Sequence, residues 1–171
     1  MTRYREWLEF DVEGQAMPAG SKTRTKFGIR EDGSPQNLAN KAAWRERAAA
    51  CGSVARTDAG LDLIPVHVPI AVTFEFRIRR PKYHASKLGG LKPQYINAMP
   101  TSDPDTTKLV RSIEDGLTGI VWADDAGIVW QQASKRYADV GEPTGCLVVV
   151  CVADGIGSGR VRTEKATDQA S

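Results

Sequence analysis

The chain has 171 residues and a mass of 18.6 kDa, enough to bury one sizeable core. An apolar fraction of 41% and a charged fraction of 26% are those of a globular domain and exclude wholesale disorder. A net charge of only +2 gives no bulk signal for a polyanionic partner, so any such signal lies in how the charge is distributed. There are three cysteines; Cys146 and Cys151 are five apart in a strand-like run and point to opposite faces. With two lone histidines, His67 and His84, this pattern argues against a disulfide scaffold and against a zinc site. No apolar stretch is long enough to span a membrane, and the charged Met1–Glu9 segment has no apolar core of a secretory signal. A reduced, cytoplasmic protein with no membrane partner is expected.

The first predicted element is a strand over Glu6–Val12, where Leu8, Phe10 and Val12 alternate with Glu9 and Asp11. Gly20–Gly33, with Lys22, Arg24, Lys26 and Arg30, reads as a basic loop or an irregular strand. A helix is predicted over Gln36–Cys51. Ser34-Pro35 marks its start, Trp44, Ala48 and Cys51 form its stripe, and Gly52 is placed to end it. The longest alternation runs from Val66 to Arg79. Its second face carries Glu75, Arg77 and Arg79 and is expected to be solvated, at least at its end, and Pro69 indicates an edge position or a bulge.

Residues Pro81–Pro100 lack periodicity and read as a long loop, a type of segment that is usually functional or disordered. A second helix fits Thr106–Thr118, with Leu109, Val110, Ile113 and Leu117 on one face, Ser102 or Asp103 as cap and Gly119 as stop. Strands are predicted at Ile120–Trp122, at Gly127–Ala138 and, covered on both faces, at Cys146–Val152. From Asp154 the composition is that of a disordered tail, which leaves one α+β domain over residues 1–153, a mixed sheet with two main helices.

Charge is unevenly placed along this chain. Arg77 to Lys92 holds six basic residues and no acid, with Tyr83 and His84 interleaved, whereas Asp103 to Asp125 holds six acids. Cations neutralise phosphates. Carboxylates beside them repel phosphates unless a divalent cation lies between. The combination describes a metal-dependent enzyme acting on phosphodiesters; a solvated loop beside a polar helix end is the competing description. Asp103-Pro104-Asp105 precedes a helix and could serve only as its cap, and Asp124-Asp125-Ala126-Gly127 could be only a turn. If the two segments fold together, hard oxygen ligands converge in the supply that magnesium requires.

The stretch Pro104–Val129, PDTTKLVRSIEDGLTGIVWADDAGIV, resembles the signature of the RusA family of Holliday-junction resolvases, with a weaker similarity at Pro18-x-Gly-Ser-Lys22-x-Arg24. That signature runs Asp-x-Asp-Asn-x-x-Lys, then Asp-Ala-Leu-x-Gly, an aromatic, and Asp-Asp-x-Gln-Val. Anchoring on Asp115-Gly116-Leu117-Thr118-Gly119 puts Asp105 at the family's first Asp and Asp125 at the second member of the Asp-Asp pair. Thr107 then stands where the family has its second Asp, Arg111 where it has its Lys, and Gly127 where it has its Gln.

The resemblance implies a RusA-like fold and a homodimeric, magnesium-dependent endonuclease (manganese being an alternative metal) that nicks four-way DNA junctions in symmetric pairs. By the same resemblance Asp105 and Asp125 hold the metal, supported by Asp124 and optionally Asp103, and Arg111 contacts the scissile phosphate. Arg79, Arg80, Lys82, Lys87, Lys92 and Lys108 are expected on flanking phosphates. Thr107 contributes no charge, so a junction-binding protein with weakened cleavage stays open, as does a nuclease for other branched DNA.

Overall fold

The computed structural model describes residues 4–20, 22–26, 28–31 and 33–153; the tail from Asp154 lies outside the described residues. Six strands and two helices follow in the order β1 (Tyr4–Glu13), β2 (Lys22–Thr25), β3 (Gly28–Glu31), α1 (Pro35–Asp58), β4 (Ile70–Ile78), α2 (Thr106–Leu117), β5 (Ile128–Tyr137) and β6 (Gly145–Ala153). The main sheet has the order β1-β6-β4-β5, parallel only between β4 and β5, and β2-β3 is a separate antiparallel pair. The architecture is α+β, a mixed four-stranded sheet with two helices.

Alternation explains the layers. Phe10, Val148, Phe74 and Ala133 stand in register across the four strands. Together with Val12, Val72, Phe76 and Val150 they present one apolar face. Trp44 and Ala48 of α1 and Leu109, Val110, Ile113 and Leu117 of α2 cover that face. All four predicted stripe residues of α2 are buried.

Several expectations are corrected. The strand predicted from Val66 begins only at Ile70, because His67 has φ 68° and prolines at 65 and 69 remove ladder donors. Pro69 therefore precedes β4, which is internal to the sheet, and the irregularity falls between Ile70 and Ala71 against β5. Ile120–Trp122 is a turn rather than a strand; Trp122 makes only isolated bridges to Ile64 and Thr118. Gly52 does not end α1, which continues to Asp58. Its lack of a Cβ is used differently, since Leu117 and Val121 press to within 2.9 Å of where one would stand. The cap of α2 is Asp105, not Ser102 or Asp103. On β6 one face is fully buried while Leu147, Val149 and Cys151 are half-buried.

The second face of β4 is solvated only towards its end, where Arg79 is exposed, and not at Arg77. Arg77 is 6% exposed. Its Nη2 donates to both oxygens of Asp11, at 2.5 and 2.6 Å, and its Nε to the Pro143 carbonyl at 3.1 Å. Alongside, Arg136 bridges Glu75 at 2.8 Å and Glu142 at 2.6 Å; Arg136 and then the Asp139 amide hold the Glu142 carboxyl down at about 2. Hydrogen-bonded charge pairs thus tie β1, β4, β5 and the 139–144 connection together, where a lone arginine would be costly to bury.

The helices approach closely at Gly116, where a Cβ would lie 2.8 Å from the Arg45 carbonyl oxygen. We expect Gly116→Ala to destabilise the fold by about 1–3 kcal/mol through this overlap, read as a lower urea midpoint with an unchanged slope.

Candidate active site and phosphate-binding groove

Helix α2 carries the site on its unburied side. Its N-cap Asp105 makes no side-chain capping bond. Capping, the ordinary reason for an Asp here, therefore does not use the carboxylate, which lies 3.5 Å from Lys108 and is largely exposed. Asp124 is the opposite case. It accepts the Ala126 amide at 3.0 Å and holds the short 3-10 turn at Asp125–Gly127, so one member of the Asp-Asp pair is engaged in the turn. Asp125 is exposed beside it.

Strand β5 aligns α2. Its two-residue period turns Gln131 and Lys135 to the helix side of the sheet, in register with Val72 and Phe76. Lys135 Nζ donates to the carbonyls of Ser102 at 2.7 Å and Pro104 at 3.0 Å, fixing the Asp103–Asp105 segment. Gln131 donates to the Glu114 carboxylate. The nine positions from Asp105 to Glu114 correspond to about 14 Å of helix axis. Four strand positions correspond to about 13 Å. Strand and helix therefore match in length, and each of these contacts fixes one end of α2.

Glu114 was not singled out in the sequence. Burial first and the charge of Asp125 second push its carboxyl up to about 7. Its Coulombic partners include Arg111, which is exposed one turn earlier. Thr107, Arg111 and Glu114 stand at i, i+4 and i+7, a spacing that would have revealed the stripe. The structure thus brings Glu114, Asp125 and Arg111 together toward one end of α2 and puts Asp103, Asp105 and Lys108 at the other. Among the described residues, no three His, Cys, Asp or Glu side chains converge as a metal cluster.

Asp103, Asp105 and Lys108 line a groove of about 560 Å³ together with Arg79 and Lys41, the latter another residue not foreseen. A second groove of about 580 Å³ shares Gln15, Arg79 and Thr144 with the first and reaches Arg80, Ala85, Gly90 and Leu91. The two form one path from the start of α2 to the loop after β4. Of the predicted phosphate contacts, Arg79, Lys82 and Lys87 are exposed, and Lys108 is exposed beside Asp105. Arg80 is built into the fold, donating to Ala138 O at 3.0 Å and Tyr95 O at 2.9 Å. Lys92 Nζ donates to Tyr83 O at 2.8 Å.

The sequence model of the family described as Endodeoxyribonuclease RusA matches residues 16–144, well over half of the chain. The chain belongs to the RusA family. The match spans α1, the groove and the whole acidic segment, and membership implies an endonuclease that resolves Holliday junctions. A search of curated proteins finds no match to this chain. No helix among the described residues is long and apolar enough to cross a membrane.

The burial of Glu114, with the charge of Asp125 near it, has a consequence for stability. Glu114 has its folded pKa raised from 4.5 to about 7, so its ionisation opposes the fold. Stability is complete below about pH 4.5 on this account and falls as pH rises through about 7. In metal-free buffer, Glu114→Gln should remove this decline and give a higher melting temperature than wild type at pH 8, with little difference at pH 4.5.

Proposed function

We propose that this RusA-family chain is a magnesium-dependent endodeoxyribonuclease that resolves four-way junctions by paired nicks, acting as a homodimer. The observation that carries this reading is the Asp105 carboxylate, free of its capping role and set in a groove lined by Arg79, Lys41 and Lys108, inside a segment matching the family. The donor set fits a hard divalent cation. All the candidates are carboxylates, and Asp125 and Glu114 form a concentration of negative charge that such an ion would relieve. Magnesium needs only one or two carboxylates, with water and phosphate oxygens completing its shell.

Asp125, with Glu114 beside it and Asp124 in a supporting place, would hold a cation at one end of α2, and Asp105, with Asp103 in a supporting place, would hold one at the other, since about 14 Å of helix is too far for one ion to span. When bound, the cation supplies water activation and stabilisation of the leaving oxygen. Arg111 neutralises charge gathering on the scissile phosphate; being permanently protonated, it does not shuttle the proton as a lysine could. Arg79, Lys108, Lys82 and Lys87 hold flanking phosphates. A two-fold dimer supplies two opposed sites for two opposed cuts. A second reading, junction binding with weakened cleavage, rests on the uncharged Thr107 where the family has an Asp; Glu114, two turns along the same stripe, offers a carboxylate in partial replacement.

Asp105→Asn and Asp125→Asn should each abolish cleavage of a synthetic four-way junction in Mg²⁺ while retaining the fold and junction binding in a gel-shift assay. Cleavage at near wild-type rate would remove that residue from the site, and wild-type binding without cleavage would establish the second reading. Junction affinity should fall steeply with salt. Lys82→Gln with Lys87→Gln should flatten the log–log slope by just under two units, at about 0.9 per lost phosphate contact.

A further inference from the structure

The segment that follows β4 is acid-free as far as Asp103, with no Asp or Glu between Glu75 and Asp103. It is also built, despite its lack of periodicity. The His84 ring is 2% exposed and stacks on Tyr95 with centroids 4.1 Å apart; Tyr83 and Tyr137 meet it edge-on. Arg80 locks this pedestal through the Tyr95 and Ala138 carbonyls. Above it, Lys92 N donates to His84 O at 3.0 Å and Ala85 bridges Leu91. At the top, Ser86 N donates to Gly90 O at 3.0 Å and Leu88 N to Ser86 Oγ at 3.3 Å. Gly89 and Gly90 have φ 91° and 72°, values that favour glycine and close the turn tightly.

This structured stalk ends in Leu88, which is 98% exposed, the most of any large apolar residue described. Lys87 adjoins it, and Lys82 is exposed at the base of the stalk. Ala85, Gly90 and Leu91 line the end of the groove that leads by way of Arg79 to Asp105.

We propose that the Ser86–Gly90 turn is a wedge for branched DNA, with Leu88 inserted against an unstacked base at the branch point; this rests on the function proposed above. Leucine is one of the apolar side chains that enter base steps and unstack them. Unstacking costs least where the stack is already interrupted, so a wedge favours a branch over a continuous duplex. The surrounding charge selects this occupant. Lysines in a run with no acid along it suit phosphates, and the acids of the adjoining groove, Asp139 and Glu142, are paired with Arg80 and Arg136. A symmetric contact with a second copy at this tip would bring Lys87 against Lys87. A single leucine offers far less apolar area than an interfacial membrane anchor.

The test uses the full chain without divalent cation and a four-way junction carrying 2-aminopurine at the branch point. Wild type should raise the 2-aminopurine fluorescence and prefer the junction to a linear duplex. Leu88→Ser should keep the wild-type melting temperature and salt slope. It should lose the fluorescence rise and at least roughly tenfold of the preference, on the scale of burying one leucine. Leu88→Met should retain both. Wild-type fluorescence and preference in Leu88→Ser would overturn the wedge and leave the nuclease reading standing. A changed oligomeric state in sedimentation with unchanged DNA preference would assign the tip to a second copy and likewise overturn it. A wild-type chain that binds no branched DNA would overturn both readings.

Discussion

The alignment of α2 against edge strand β5 is the constraint on which the site depends. The apolar stripe of α2 is held by the sheet, and hydrophobic burial is non-directional. It sets which side of the helix faces inward without setting where the helix starts. The directional bonds do that. Lys135 holds the carbonyls before the helix and Gln131 holds the acid near its end. Because both side chains come from one face of one strand, the separation of the two acidic groups is a property of strand and helix rise. The carboxylate at Asp105 and the pair at Glu114 and Asp125 are thereby kept apart along one element.

Charge is divided between structure and surface by burial. Arg77, Arg80 and Arg136 make their hydrogen bonds inside the fold, with carboxylates or carbonyl oxygens as partners. A guanidinium suits this work because it presents several donors in a rigid fork. Arg79, one residue from Arg80, stands exposed in the groove. Neighbouring arginines in one basic run, both just past the end of β4, therefore have different tasks. Asp105, Asp115, Asp124 and Asp125 are all exposed and are sorted by partner instead: Asp124 is engaged with its turn, Asp115 lies 3.3 Å from Arg45 and Asp105 3.5 Å from Lys108.

The loop after β4 shows how an element without periodicity becomes ordered. Aromatic stacking about His84 and the carbonyls held by Arg80 replace a ladder. Burial, then Arg80 and Lys92, hold the His84 pKa below the usual imidazole value, which keeps an uncharged ring in the stack. The His84–Tyr95 stack and the Arg80–Tyr95 bond join residues eleven and fifteen apart, beyond any local period, which is why the segment reads only as a loop.

What the amino-acid order determined by itself was whatever depends on short-range pattern. The alternation of Leu8, Phe10 and Val12, the α2 stripe from Leu109 to Leu117 and the run at Cys146–Val152 were legible because burial acts through periods of two and 3.6 residues. The α+β class and the Asp105–Asp125 motif were legible for the same reason, as spacings along one chain. Tertiary structure decided what depends on partners distant in sequence. Gly52 reads as a helix stop and is in fact a close-packing point under Leu117; Arg77 reads as solvated and is buried because Asp11 waits on β1. Glu114 lay in plain view within the motif, but its character comes from Asp125 and Gln131, which only folding brings beside it. Electrostatics and desolvation act through space, and no spacing along the chain encodes them directly.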